Sequence, residues 1–491
     1  MKDALRISVS LAVVLAILLS SCPVMAASAV DITRYCKLIS NSNGKNIKYA
    51  TDGEASRIWT GAKSNNQRIE IRLNTKAKVG GLYFKWNTRP PKWELFGYDS
   101  KGAKKLAATG QNRGYLTEYV AIPGAMALYK RFLLFSSDAS KAFSIAELTV
   151  YSTGTLPYYV PRWEPCKART DILLFAAHPD DEQLYLGSVM PTYVQEGRSV
   201  QTVFMTYGNS PTSVRRYEAM ESVWSTGERT YPVVRSARDV KTTTKEQAMK
   251  YWPEKETLGF VVEQIRRFKP SIIVTHDIMG EYWHGAHRLT CYLVQKAFAA
   301  AADPKQYSES AKKYGTWKTG KLYIHLYRHN RITIRDNIKL SRFGNKTAFQ
   351  VEMLGYKRHI SQGGGKSWGR QLKNSGAYSN IQFGLYASNV GLDRYHRTMF
   401  ENVTEAAMLR LNPQYGPSPK PSPTAVPSQS PTATATPTPV PAETPVPTPE
   451  PTETPAEAPT AAPTEEPAET TGPSPSPASS ATEPAEQAET P

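Results

Sequence analysis

Between residues 171 and 327, apolar runs of strand length alternate with segments of helical period. DILLFAA (171–177) reads as a buried strand, and SVQTVFMTYG (199–208), IIVTH (272–276) and KLYIHLY (321–327) read as three further strands. QLYLGSVMPTYVQEG (183–197), SVRRYEAMESVWSTG (213–227), TLGFVVEQIRRFKPS (257–271) and GAHRLTCYLVQKAFAAA (285–301) carry helical spacing. The first two stop at Gly197 and Gly227, and the third stops before Pro270. Strands separated by helices imply a doubly wound, mainly parallel α/β sheet over residues 167–412. Ligands of such sheets sit beyond the carboxyl ends of the strands.

Residues 30–155 have a different rhythm. RIEIRL (68–73), GLYFKW (81–86), YVAI (119–122), RFLLF (131–135) and ELTVYS (147–152) alternate or run apolar, with Gly, Pro, Asn and Asp between them. Short strands with regular turns imply a β-sandwich. ATDGEASRIWTG (50–61) and IAELTVYSTG (145–154) resemble the opening Asp-Gly…Trp stretch and the closing strand of discoidin-like, coagulation-factor type C modules. That resemblance implies a jelly-roll that binds sugars or lipid headgroups through loops at one end. Trp59, Trp86 and Trp93 are its candidate exposed aromatics, with packing in the sandwich core as the competing reading. A module of this kind is expected to be removable without loss of hydrolysis of a small substrate.

The ends point to export. Lys2 and Arg6 precede the apolar run Leu11–Leu19, and small residues follow. Residues 1–26 read as a signal peptide cleaved before Ala27. Leu19-Ser20-Ser21-Cys22 also resembles a lipobox that would leave Cys22 lipidated, although Pro23 is unusual after such a cysteine. Residues 413–491 hold 23 of the 37 prolines, with ten glutamates against one lysine, and read as a disordered Pro/Thr/Glu-rich stalk. The chain total is +17, so the body ahead of the stalk is strongly basic. For an exported protein this favours an anionic cell-wall polymer or lipid headgroup as neighbour and disfavours nucleic acid. Export permits a disulfide, for which Cys36 and Cys166 are the candidate pair, while Cys291 in a helical pattern reads as a buried thiol.

Two clusters sit at strand ends. His178-Pro179-Asp180-Asp181-Glu182 follows the first strand, and THDIMGEYWHGAHR (275–288) follows the third. Four of the eight histidines lie there. An imidazole and a carboxylate three residues apart in a turn can reach one cation, and His284 and His287 add an H-x-x-H at a helix entry; zinc accepts that mixture of nitrogen and oxygen ligands. Oxygen-rich sites also accept iron, so Fe2+ is an alternative to Zn2+. Glu182 reads as a complement to the helix dipole.

AHPDDE and the later H-x-x-H resemble the PIG-L/LmbE-like N-deacetylases. Arg215 and Glu218 match the R-x-x-E of that family, and HISQ (359–362) resembles its H-x-S-Q-type segment. The resemblance implies a Rossmann-like domain in which His178, Asp181 and His287 bind zinc and Asp180 is the general base toward zinc-bound water. It also implies that His284 stabilises or protonates the tetrahedral intermediate, Tyr282 polarises the acetyl carbonyl and Arg215 holds the substrate. One departure stands out: the second motif of the family is often H-P-D-H, whereas here Ala286 offers no carboxylate, leaving Asp277 or Glu281 as substitutes. The expected function is secreted, metal-dependent N-deacetylation of N-acetylglucosamine-type sugars in glycans or glycolipids. The alternatives are a glycan-binding surface protein with a degenerate α/β domain and a zinc amidase for another N-acyl substrate. Substrate choice is expected in loops such as 228–256 and 328–358.

Overall fold

The computed structural model describes residues 27–416 apart from 112–113, 139, 141, 209–213 and 365–376. The predicted signal peptide and nearly all of the predicted stalk lie outside the described residues. Nine strands build the first layer pair: β1 (Cys36–Ser40), β2 (Trp59–Thr60), β3 (Gln67–Leu73), β4 (Val79–Thr88), β5 (Lys92–Tyr98), β6 (Lys104–Gln111), β7 (Thr117–Ala121), β8 (Arg131–Ser136) and β9 (Ser144–Ser152). They form two sheets, ordered β1-β3-β8-β5-β6 and β2-β9-β4-β7. β3 alternates strictly between inward and outward residues, so Ile69 and Ile71 enter the core while Arg68, Glu70 and Arg72 face out. Trp59, Trp86 and Trp93 are all buried in that core, which removes them as exposed aromatics. Phe84 and Trp86 stack with centroids 4.5 Å apart.

The second part is built on β10 (Ile172–Ala176), β11 (Val200–Phe204), β12 (Val233–Val234), β13 (Ile272–Thr275), β14 (Lys321–His325), β15 (Arg331–Thr333) and β18 (Gln382–Ser388), while β16 (Lys339–Leu340) and β17 (Lys346–Thr347) pair as a separate ribbon. The seven strands form one sheet ordered β12-β11-β10-β13-β14-β18-β15. β12 through β14 are parallel, and β18 and β15 close the edge antiparallel. All five residues of β10 are buried: Leu173 and Phe175 enter one core and Ile172, Leu174 and Ala176 the opposite one. Helices cover both faces: α1 (Asp181–Leu184), α2 (Val189–Gln195), α3 (Arg215–Thr226), α4 (Lys245–Met249), α5 (Glu254–Phe268), α6 (Gly285–Ala300), α7 (Ser308–Tyr314), α8 (Ala348–Tyr356) and α9 (Glu405–Leu411). The segment expected as one helix over 183–197 is two, because the chain turns at Gly187, where a Cβ would meet Gln183 O at 2.4 Å and Glu352 Cγ at 2.5 Å. Among the described residues, no helix is long and apolar enough to cross a membrane.

One sequence expectation is corrected here, and the contacts of the sandwich bear on another. Cys36 and Cys166 are both free: Cys36 Sγ lies in β1 against Ile32 O at 3.8 Å, and Cys166 is exposed on the connection leading to β10, with its Sγ 3.9 Å from Lys167 O. The sandwich is also no loose appendage. Every residue of α3 is buried, partly by β4. Tyr217 Oη donates to Trp86 O at 3.0 Å, Arg216 donates to Asn87 Oδ1 at 2.6 Å, and Glu221 accepts from Tyr83 Oη at 3.0 Å and pairs with Lys85 at 2.8 Å.

Glu352 of α8 is fully buried and accepts a hydrogen bond from Asn380 Nδ2. Burial pushes its carboxyl well above the usual range, and Asp336 adds to the shift. A carboxyl raised in the folded state contributes most below its unfolded value and loses that contribution as pH rises toward the folded value. Glu352→Gln is therefore expected to be more stable than the parent, with a gap that widens from pH 5 to pH 8 in urea unfolding. A gap that narrows would contradict the protonated assignment.

Candidate metal centre

The carboxyl ends of β10 and β13 deliver both clusters to one place. After Ala177 the chain turns through His178 and Pro179, and Asp180 sits at φ 120°, ψ −29°. A non-glycine residue there costs on the order of 1–3 kcal/mol and persists only when its surroundings hold it. Two contacts hold Asp180. Its backbone N–H donates to Glu182 Oε2 at 2.8 Å, and Arg215 Nη2 binds its Oδ1 at 2.9 Å and Pro179 O at 2.6 Å. Glu182 is itself buried and accepts from His359 Nε2 and Ser222 Oγ, each at 2.6 Å. It therefore knots the loop to the HISQ segment as well as standing in the first turn of α1, where the sequence places it. Glu218 completes that knot by accepting from Ser361 N at 2.8 Å and Ser361 Oγ at 2.6 Å.

Three atoms converge beyond the turn. His178 Nδ1 is 3.1 Å from Asp181 Oδ2 and 3.1 Å from His287 Nε2, and His287 Nε2 is 3.2 Å from Asp181 Oδ2. Ligand atoms in a tetrahedral zinc site with bonds of ~2.0–2.2 Å stand roughly 3.3–3.5 Å apart, so the triangle fits a metal within a few tenths of an ångström. All three side chains are buried. His276 also lies near, with Nε2 3.5 Å from Asp181 Oδ2, but that nitrogen accepts the Ala177 N–H at 2.8 Å and its lone pair is taken.

An outer carboxylate fixes the tautomer of His287, and a second carboxylate lies beside His178. Glu281 Oε2 accepts from His287 Nδ1 and from His276 Nδ1, each at 2.7 Å, and Glu281 Oε1 accepts from His325 Nδ1 at 2.6 Å and Asp277 N at 3.1 Å. Burial alone would raise the Glu281 carboxyl, but these donors hold it well below its usual range. Asp239 Oδ1 lies 2.9 Å from His178 Nε2, poorly aligned for a hydrogen bond, and its Oδ2 is 3.6 Å from Arg215. With its Nδ1 proton directed outward to Glu281, His287 turns its Nε2 lone pair into the triangle, where His178 Nδ1 and Asp181 Oδ2 face it. Glu281→Gln places an amide N–H among these donors and is expected to weaken metal binding about 10–100-fold in a zinc titration, while wild-type affinity in that variant would contradict its orienting role.

The remaining predicted residues surround this cluster. Asp180 is buried beside the triangle without entering it; burial raises its carboxyl to about 6 against the pull of Arg215. Arg215 is buried on Asp180, a position suited to orienting that carboxylate. His284 caps α6 by accepting the Ala286 N–H on Nδ1 at 3.2 Å, which places the proton of its neutral ring on Nε2. Burial, with His178 and His287 close by, lowers its pKa to about 3. Neither Asp277 nor Glu281 substitutes as its partner: among the described residues no carboxylate hydrogen-bonds His284. Tyr282, half exposed, lies with its ring 5.2 Å from that of His287 and 5.4 Å from that of His284. Asp239 and His325 were not singled out from sequence. His325 ends a buried strand, the same signal that marked His178 and His276, whereas Asp239 sits in a polar loop without any motif.

The PIG-L family model, described as GlcNAc-PI de-N-acetylase, matches residues 173–298. A mycothiol S-conjugate amidase of Streptomyces coelicolor is 31% identical over 162 residues, covering 28% of this chain and 55% of that protein. A 1D-myo-inositol 2-acetamido-2-deoxy-alpha-D-glucopyranoside deacetylase of Catenulispora acidiphila is 27% identical over 203 residues, 36% of this chain and 61% of that protein. The chain thus spans little more than half the length of these relatives. Of solved structures, a conserved protein from Thermus thermophilus is 17% identical, with 46% of this chain and 99% of that one covered at a TM-score of 0.33. The family 32 CBM from C. perfringens in complex with galactose is 19% identical, with 25% and 99% covered at a TM-score of 0.23.

Proposed function

We propose, from the PIG-L domain that residues 173–298 form, that this chain is a metal-dependent N-deacetylase of N-acetylglucosamine-type sugars. The observation that carries the proposal is the triangle of His178 Nδ1, Asp181 Oδ2 and His287 Nε2, with a carboxylate beside it that is not a ligand. Zinc, or another divalent ion such as Fe2+, would be held by these three residues and would supply Lewis acidity and a water of lowered pKa, ~7 for zinc.

The chain's own groups divide the rest of the work. Asp180, oriented by Arg215, accepts the proton of the attacking water. His284 presents Nε2–H to the developing oxyanion and, with its depressed pKa, acts by hydrogen bonding and not as an acid. Asp180 then returns its proton to the departing amine, and acetate and a free amino sugar result. Tyr282 stands where its hydroxyl can assist at the acetyl carbonyl. Secretion, proposed from residues 1–26, and the basic body favour a cell-wall glycan or glycolipid as the source of the sugar.

The test is acetate release from N-acetylglucosamine oligomers and from cell-wall fragments by the zinc-loaded mature protein. Release that a chelator abolishes supports the proposal. A protein that binds zinc stoichiometrically and releases acetate from no sugar would shift the reading to another N-acyl substrate.

A further inference from the structure

The lip of the site exposes apolar surface that the reaction itself does not use. Ile278, Met279, Tyr282 and Trp283 are 39%, 50%, 48% and 60% exposed, all within one six-residue stretch that runs from β13 to α6. Exposed apolar side chains grouped beside a polar cluster mark a binding surface more often than a packing defect.

This lip is held rigidly. Gly280, Tyr282 and Trp283 all have positive φ, at 68°, 43° and 62°. Two of these are bulky aromatic residues, for which that conformation is strained. Three contacts hold the strain in place. The Glu281 carboxylate between them is locked under four donors, Gly280 N–H donates to Asp277 O at 3.0 Å, and Arg288 Nε donates to Met279 O at 2.6 Å. The anchored guanidinium of Arg288 lies 5.0 Å from the centroid of the Trp283 ring. Trp283 is thus a braced indole, directed to solvent, next in the chain to Tyr282 and His284. A braced ring binds without the entropy cost of ordering a mobile one.

We infer that Trp283 is a stacking platform for the sugar adjoining the one that is deacetylated, so that the substrate is a chain of at least two sugars. This rests on the proposed deacetylase reading for the identity of the ligand. A pyranose offers a face of C–H groups of about the area of an indole, and its hydroxyls stay in water when it stacks, which suits a ring more than half exposed. Tyr185, its ring 6.1 Å from that of Tyr282, 6.2 Å from that of Tyr378 and 5.7 Å from that of His287, continues an aromatic border beside the cluster.

The experiment compares full-length wild type and Trp283→Ala on N-acetylglucosamine and on its tetramer. Acetate release gives kcat/KM, and calorimetry in the Asp180→Asn background gives binding without turnover. Trp283→Ala is expected to lower kcat/KM for the tetramer about tenfold, mostly through KM, and to weaken tetramer binding by the same factor, with the fall confined to the tetramer. Trp283→Phe is expected to restore most of the loss. An equal fall on the monosaccharide, or no fall on the tetramer, overturns the platform. Loss of binding to phosphatidylglycerol vesicles with tetramer binding unchanged overturns it in favour of a lipid surface. If the wild type releases no acetate from either sugar, the deacetylase reading fails, and Trp283-dependent tetramer binding by calorimetry decides the platform separately.

Discussion

Asp180→Asn is expected to fold, to bind its metal as the parent does, and to release acetate roughly 10²–10⁴-fold more slowly. The carboxylate is outside the metal triangle, so its loss removes no ligand. Asparagine is isosteric and tolerates positive φ better than most residues, so the strained turn at φ 120° survives. Its side-chain oxygen can still accept from Arg215. What it cannot do is take a proton from water and hand it to the amine. Turnover and metal content measured on the same preparation check the assignment. Loss of metal would mean that the roles of Asp180 and Asp181 are exchanged.

Glu221→Ala is expected to destabilise the protein by about 3–5 kcal/mol, the cost of stranding buried charge. Glu221 is buried in α3, and its carboxylate meets Lys85 Nζ at 2.8 Å, Tyr83 Oη at 3.0 Å and the Arg358 guanidinium at 2.5 Å. Burial works to raise its pKa, but Lys85 and Arg358 outweigh burial and leave it below the usual carboxylate value. That sign means its contribution is present above the unfolded value and is lost as pH falls below it. The measurement is urea unfolding of the full chain near pH 7, and a loss under about 1 kcal/mol would place the network in the class of surface pairs. The same network explains why removal of the sandwich is not expected to spare hydrolysis. β4 supplies Tyr83 and Lys85 to Glu221, Arg358 joins them from the other side, and the next residue, His359, holds Glu182 and through it the backbone of Asp180.

Much of this was legible in the sequence because burial on both faces leaves nearly continuous apolar runs, as in β10 and β13. The strand-end histidines and aspartates were legible for the complementary reason: polar groups at the tip of a buried strand need partners. Partners that arrive by tertiary packing were not legible. The sequence offers Glu281 as a companion of His284, yet the turn at Gly280 carries it under His287, His276 and His325. The second role of Glu182 was hidden because its partner His359 is 177 residues away. Asp239 comes from a loop with no periodicity. The buried tryptophans of the sandwich were ambiguous because an aromatic on a short strand can face either way, and a one-residue shift of register decides it.

A zinc titration of the chelator-stripped protein, with acetate release followed at each addition, tests the metal centre. Release is expected to rise in proportion to added zinc and to break at one equivalent. Full release from the stripped protein, or a rise that continues well past one equivalent, would contradict a single catalytic metal held by His178, Asp181 and His287.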